Sequence, residues 1–109
     1  MTIILFLAFV LFDRDNYRTI YVHTGDIVTI KLQAPAESRA WQPTLVNPVV
    51  LQYLGESTET ARPKTVFQVF TFRVVGVGST LLDLQYRGPP GRNCSPPMTL
   101  YRIYVHVNR

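Results

Sequence analysis

The residues able to supply an acid, a base or a nucleophile in this sequence are His23, His106, Cys94 and seven carboxylates. Catalysis needs such groups to converge, and their positions do not bring them together. His23 and His106 fall opposite the faces that carry Val22 and Val105, so both read as solvated or cross-strand histidines. Two histidines without a third partner are too few for a metal site. Cys94 stands in Asn93-Cys94-Ser95-Pro96-Pro97 with no histidine close in sequence to activate it, and reads as a loop residue. A glycine-rich phosphate loop, a Gly-x-Ser-x-Gly elbow and a paired-carboxylate pattern are all missing. The expectation is a non-enzyme with no catalytic, cofactor-binding or metal-binding residues.

A single cysteine excludes an intrachain disulfide and a four-ligand zinc site, and leaves the redox compartment open. A chain of 109 residues is one domain in length, and 47% apolar against 17% charged residues is enough to drive a core. A formal charge of +4, scattered along the chain, permits an acidic partner without demanding nucleic acid. Tyr17, Arg18, Tyr21, Arg73, Arg102 and Tyr104 could be drawn as a stacking face for bases, but ordinary sandwich surface accounts for them better.

The elements that would position any site are strands. From Tyr17 onward the apolar residues alternate with period two between clusters of Gly, Pro, Asn and Ser. Tyr17 to Thr24 and Ile27 to Leu32 read as a hairpin about Gly25. Trp41 to Leu45, Val49 to Leu54, Val66 to Val75, Thr80 to Tyr86 and a last run through Tyr101, Ile103, Val105 and Val107 follow. Seven strands and no helix indicate an all-β, immunoglobulin-like β-sandwich spanning residues 17–109.

Residues 1–16 stand apart. Ile3 to Phe12 is an unbroken apolar run, too short for a stable membrane span. Its length suits the core of an export signal, although a basic start and a small-residue cleavage site are lacking, and the competing reading is a buried or paired first strand. The segment favours a secreted or periplasmic location over a cytoplasmic one.

Strand reversal sorts the connections by end. Gly25, Val46-Asn47 and Gly76 to Ser79 make short turns at one end, while Ala34 to Ala40, Gly55 to Thr65 and Arg87 to Met98 make longer loops at the other. Long loops on a rigid scaffold are the usual seat of binding.

The landmarks in order are Gly25-Asp26 before Val28-x-Ile30-x-Leu32, a Pro35 loop leading to Ala40-Trp41, Phe70 to Tyr86 with Gly78 at the turn, then Arg87-Gly88-Pro89-Pro90 and a strand ending Tyr104-Val105-His106-Val107. In these the chain resembles the chagasin-like inhibitors of papain-type cysteine proteases, immunoglobulin-like sandwiches that block the protease cleft with loops. The resemblance covers Tyr17 to Val107.

It implies reversible, non-covalent inhibition of a papain-like cysteine protease by the 34–40, 60–65 and 87–92 loops. Pro35, Ala36, Glu37, Ser38 and Arg39 would lie across the catalytic centre, with Arg62, Pro63, Lys64, Arg87, Pro89 and Pro90 gripping the cleft walls. The loops differ from the family pattern. Pro35-Ala36-Glu37-Ser38 keeps the proline of Asn-Pro-Thr-Thr-Gly but not its threonines or glycine, the second loop is basic rather than glycine-rich, and Pro90 stands where an aromatic anchor is usual. The competing reading is therefore a non-inhibitory immunoglobulin-like binding or assembly module that keeps the scaffold and pairs through an edge strand.

Overall fold

A computed structural model of the chain describes residues 7–35, 41–62, 65–87 and 100–108. Eight strands are present: β1 Ala8–Phe12, β2 Thr19–His23, β3 Ile27–Pro35, β4 Trp41–Leu45, β5 Leu51–Arg62, β6 Thr65–Val74, β7 Gly78–Tyr86 and β8 Leu100–Asn108, with a 3₁₀ turn at Asp13–Asp15 after β1. They form two four-stranded sheets in the orders β1-β3-β6-β5 and β2-β8-β7-β4. That is the immunoglobulin-like sandwich, with the first strand divided between the two sheets.

The alternation read in the sequence is what closes it. Val28, Ile30 and Leu32 of β3 and Phe70, Phe72 and Val74 of β6 face Leu82 and Leu84 of β7 and Tyr101, Ile103, Val105 and Val107 of β8, all at 2% exposure or less. Burying both inner faces is the main stabilising term of such a fold. On the outer face of the second sheet, Asp83 lies directly across from Arg102 and accepts two hydrogen bonds from its guanidinium, each 2.8 Å. The aspartate is outward-facing, as its phase dictates, and is nevertheless buried under the arginine.

Two expectations are corrected. The run from Tyr17 to Leu32 is not a hairpin: β2 pairs in parallel with β8 in one sheet and β3 in parallel with β1 in the other, so the turn at Gly25 carries the chain between sheets. Alternation states which face is buried, not which neighbour a strand pairs with. Gly25 has φ of 98° and Asp26, next to it, is 2% exposed. The Asp26 carboxylate accepts from the Leu7 amide at 3.0 Å and the His23 amide at 2.9 Å, while its own backbone carbonyl accepts from Val74. One buried carboxylate thus fixes the start of β1, the end of β2 and the crossing to β3.

The stretch from Gly55 to Arg62 is strand, not loop. β5 continues as the edge of the first sheet, paired with β6 down to Arg62 opposite Thr65, with register shifts at Tyr53/Gly55 and Thr60/Arg62. Gly55 takes φ of 137° at the first shift, where a β-bulge needs it. Glu56, Ser57, Thr58, Glu59 and Thr60 are all exposed, so no hydrophobic period marks this strand. An unpaired edge carrying charge and bulges resists pairing with other chains.

Removing the Asp26 carboxylate leaves two amides without their acceptor in a water-poor turn. Asp26→Ala should cost about 3 kcal/mol in urea denaturation, and Asp26→Asn, which retains one acceptor, should cost less. Equal midpoints for wild type and Asp26→Ala would show that the turn does not depend on this group.

Candidate functional site

Strand directions decide which connections share an end. β1 and β3 run in parallel, β6 runs against β3 and β5, β7 runs against β4 and β8, and β2 runs with β8. The end at which β3 stops at Pro35, β5 stops at Arg62 and β6 starts at Thr65 is also where β4 starts at Trp41, β7 stops at Tyr86 and β8 starts at Leu100. The register pairs Pro35 and Arg62 with Thr65 on its two sides, Trp41 with Tyr86, and Gln85 with Leu100. The chain therefore leaves and re-enters the sandwich at one end on either side of residues 36–40, 63–64 and 88–99.

Of the residues expected to bind, the structure brings Pro35 and Arg62 to strand ends on either side of Thr65. Arg87 follows β7, is exposed, and lies 3.4 Å from Gln85 Oε1 through Nη2, a long hydrogen bond that leaves the guanidinium open to solvent. Ala36, Glu37, Ser38, Arg39, Pro63, Lys64, Pro89 and Pro90 lie outside the described residues, as does Cys94.

Beneath this end runs a polar network. Gln68 of β6 sits in phase with Phe70 and Phe72 and is fully buried. Its Oε1 accepts from the Trp41 amide at 2.8 Å, and its Nε2 donates to the Trp41 carbonyl at 3.2 Å and to Glu56 Oε1 at 3.0 Å. A side chain from one sheet thus completes the backbone of a strand in the other. The Trp41 indole Nε1 donates to the Gln33 carbonyl at 3.1 Å, and its ring meets Tyr86 edge-on at 5.5 Å. Trp41, at 2% exposure, belongs to the core, as a tryptophan beside the first loop of a sandwich should.

A fourth connection at this end escaped the sequence reading, which set residues 1–16 apart. The Asp13–Asp15 turn links β1 to β2 there. The Asp13 carboxylate accepts from the Gln33 amide at 3.3 and 3.4 Å, and Asn16 grips the start of β8, donating to the Leu100 carbonyl at 2.9 Å and accepting from the Arg102 amide at 2.8 Å. Burial pushes the Asp13 carboxyl above its ordinary range, against the pull of the Gln33 amide. Tyr101 donates to the Phe12 carbonyl at 2.9 Å, and burial, reinforced by the charges of Asp15 and Asp13, raises its phenol so that the donor proton stays in place. Gln68 and Asn16 could be found in sequence only as polar residues interrupting apolar or strand-forming runs.

His23 is exposed, and His106 lies on the outer face, its Nδ1 2.7 Å from Ser79 Oγ with Tyr21 edge-on at 5.6 Å. Among the described residues no group of three His, Cys, Asp or Glu side chains could hold a metal ion. Among the same residues no helix is long and apolar enough to cross a membrane.

A cysteine protease inhibitor from Entamoeba histolytica has a similar crystal structure, with a TM-score of 0.75 at 16% identity over 94% of this chain and 97% of that one. The chain shares that inhibitor's fold. The solution structure of amebosin is also similar, with a TM-score of 0.51 at 16% identity over 95% of this chain and 99% of that one. No family model and no curated protein matches the sequence.

The Gln68 contacts can be removed with little change of volume. Gln68→Met should cost about 2 to 4 kcal/mol, because the Trp41 amide and carbonyl lose their partner where water cannot reach. The near-ultraviolet circular dichroism of Trp41 should weaken in the same variant. An unchanged urea midpoint would show that Trp41 does not depend on Gln68.

Proposed function

We propose that the chain is a reversible, non-covalent inhibitor of papain-like cysteine proteases, acting through the connections at the Pro35, Arg62 and Arg87 end. The observation that carries this reading is the convergence of strand ends. Pro35, Arg62, Thr65, Trp41, Tyr86 and Leu100 place three separate connections at one pole of a rigid sandwich, the arrangement suited to filling a cleft. The fold shared with an Entamoeba histolytica cysteine protease inhibitor supports the same reading.

In this mechanism Pro35, Ala36, Glu37, Ser38 and Arg39 cover the catalytic centre, and Arg62, Pro63, Lys64, Arg87, Pro89 and Pro90 contact the walls. The target's substrate is excluded by bulk, and no bond is made or broken. Preorganisation supplies affinity: the Gln68–Trp41–Gln33 network fixes the roots of the first connection before binding, so less ordering is required on association. Arg87, exposed and held by one long hydrogen bond, is free to pair with an acidic or carbonyl group on the protease.

Titration of several papain-like proteases with the chain should give complete, reversible inhibition of at least one, and Arg87→Ala should weaken it about tenfold, or ~1.4 kcal/mol. Full protease activity at saturating chain across the set would overturn the proposal.

A further inference from the structure

The connection between β1 and β2 meets the same end as the three loops, and its side chains divide sharply by direction. Asp13 is turned onto the Gln33 amide, and Asp15 accepts from the Phe12 amide at 2.9 Å and from Arg18 Nη1 at 3.0 Å. What remains outward is Arg14, Tyr17 and Arg18. Tyr17 is 55% exposed, Arg14 stands over the Phe12 ring with its guanidinium carbon 5.1 Å from the centroid, and the Arg18 side chain is 61% exposed.

Tyr17 is also the one non-glycine residue among those described with positive φ, 65°. A bulky side chain there carries backbone strain, which persists only where the surroundings enforce it. They do so on both sides: the Tyr17 amide donates to the Arg102 carbonyl at 2.7 Å, the Arg18 amide to the Asp15 carbonyl at 3.0 Å, and the Tyr104 amide to the Arg18 carbonyl at 3.0 Å. Asn16 adds its two bonds to β8. Among the described residues no hydrogen bond or ring contact engages the side chain that this arrangement holds out to solvent. Tyr and Arg together on a rigid, exposed turn are the composition of an interface anchor.

We infer that Arg14, Tyr17 and Arg18 form a fourth contact element, engaging an acidic rim of the same protease that the three loops occlude. The inference rests on the proposed inhibitory reading and adds a surface to it. The turn is braced to the roots of two of the loops, to the first through Asp13 and Gln33 and to the third through Asn16 and Leu100, so its position relative to those roots is fixed. Two arginines flanking a tyrosine favour a negatively charged partner, and their pull on it weakens with salt.

The test compares inhibition of one susceptible protease by the wild-type chain, Tyr17→Gly and the Arg14→Glu/Arg18→Glu pair. Glycine removes the ring and accepts positive φ without strain, so the fold is retained, as thermal unfolding would check. Tyr17→Gly should weaken inhibition about tenfold, mostly through faster dissociation, and the charge reversal should slow association and flatten its salt dependence. Wild-type inhibition that neither variant alters overturns the fourth element and leaves the three-loop reading standing. Absence of inhibition by the wild-type chain overturns both.

Discussion

Gln68 holds the two sheets in register at the end that matters. The driving force of a sandwich core is non-directional: burial holds apolar faces together at about 10 Å but does not specify which polar groups meet at the rims. A buried amide that must satisfy both the N–H and the C=O of Trp41 is directional. It ties β6 of one sheet to the first residue of β4 in the other, and the Trp41 indole then returns the link to Gln33 of β3. Three strands from two sheets are fixed relative to one another by groups that cannot be left unpaired in the interior.

The same logic replaces covalent cross-linking. With one cysteine the chain has no intrachain disulfide to staple its sheets, and polar seams at both ends take that part. At the loop end these are Gln68–Trp41 and the Tyr101 hydroxyl on the Phe12 carbonyl. At the opposite end the Asp26 carboxylate joins β1, β2 and the crossing to β3. Between them lies a wholly apolar middle of Ile30, Leu32, Phe70, Phe72, Leu82, Leu84 and Ile103. Specific hydrogen bonds set geometry at the rims, and burial supplies the driving force between them.

This division explains what could be read from the sequence. β6, β7 and β8 were legible because a half-buried strand writes its face as period two, and Phe70, Phe72, Leu82, Leu84, Tyr101, Ile103, Val105 and Val107 obey it. The partners of β2 were not legible, since the same alternation serves a hairpin and a strand that has crossed to the other sheet. The outer half of β5 was invisible because its residues face solvent and write no period at all. Of the candidate site, the shared end of the connections followed from counting reversals. The bracing did not, because Gln68, Asp13 and Asn16 act through pairings with residues far off in sequence.

Counting reversals from β1 rather than from β2 changes the number of connections at the Pro35, Arg62 and Arg87 end from three to four. The eight strands alternate in direction throughout, so every odd-numbered connection arrives at the same pole, and the first of them is the Asp13–Asp15 turn. A scaffold of this kind separates two demands. Stability resides in strands whose inner faces are fixed by packing, whereas the connections can change composition as long as their roots stay anchored. The roots at Gln33, Trp41 and Leu100 are anchored by hydrogen bonds to backbone groups, which any residue but proline would still provide at Gln33 and Trp41. Loop sequence can therefore vary on this frame while the strand ends that carry the loops keep their geometry, which separates the composition of the connections from their placement.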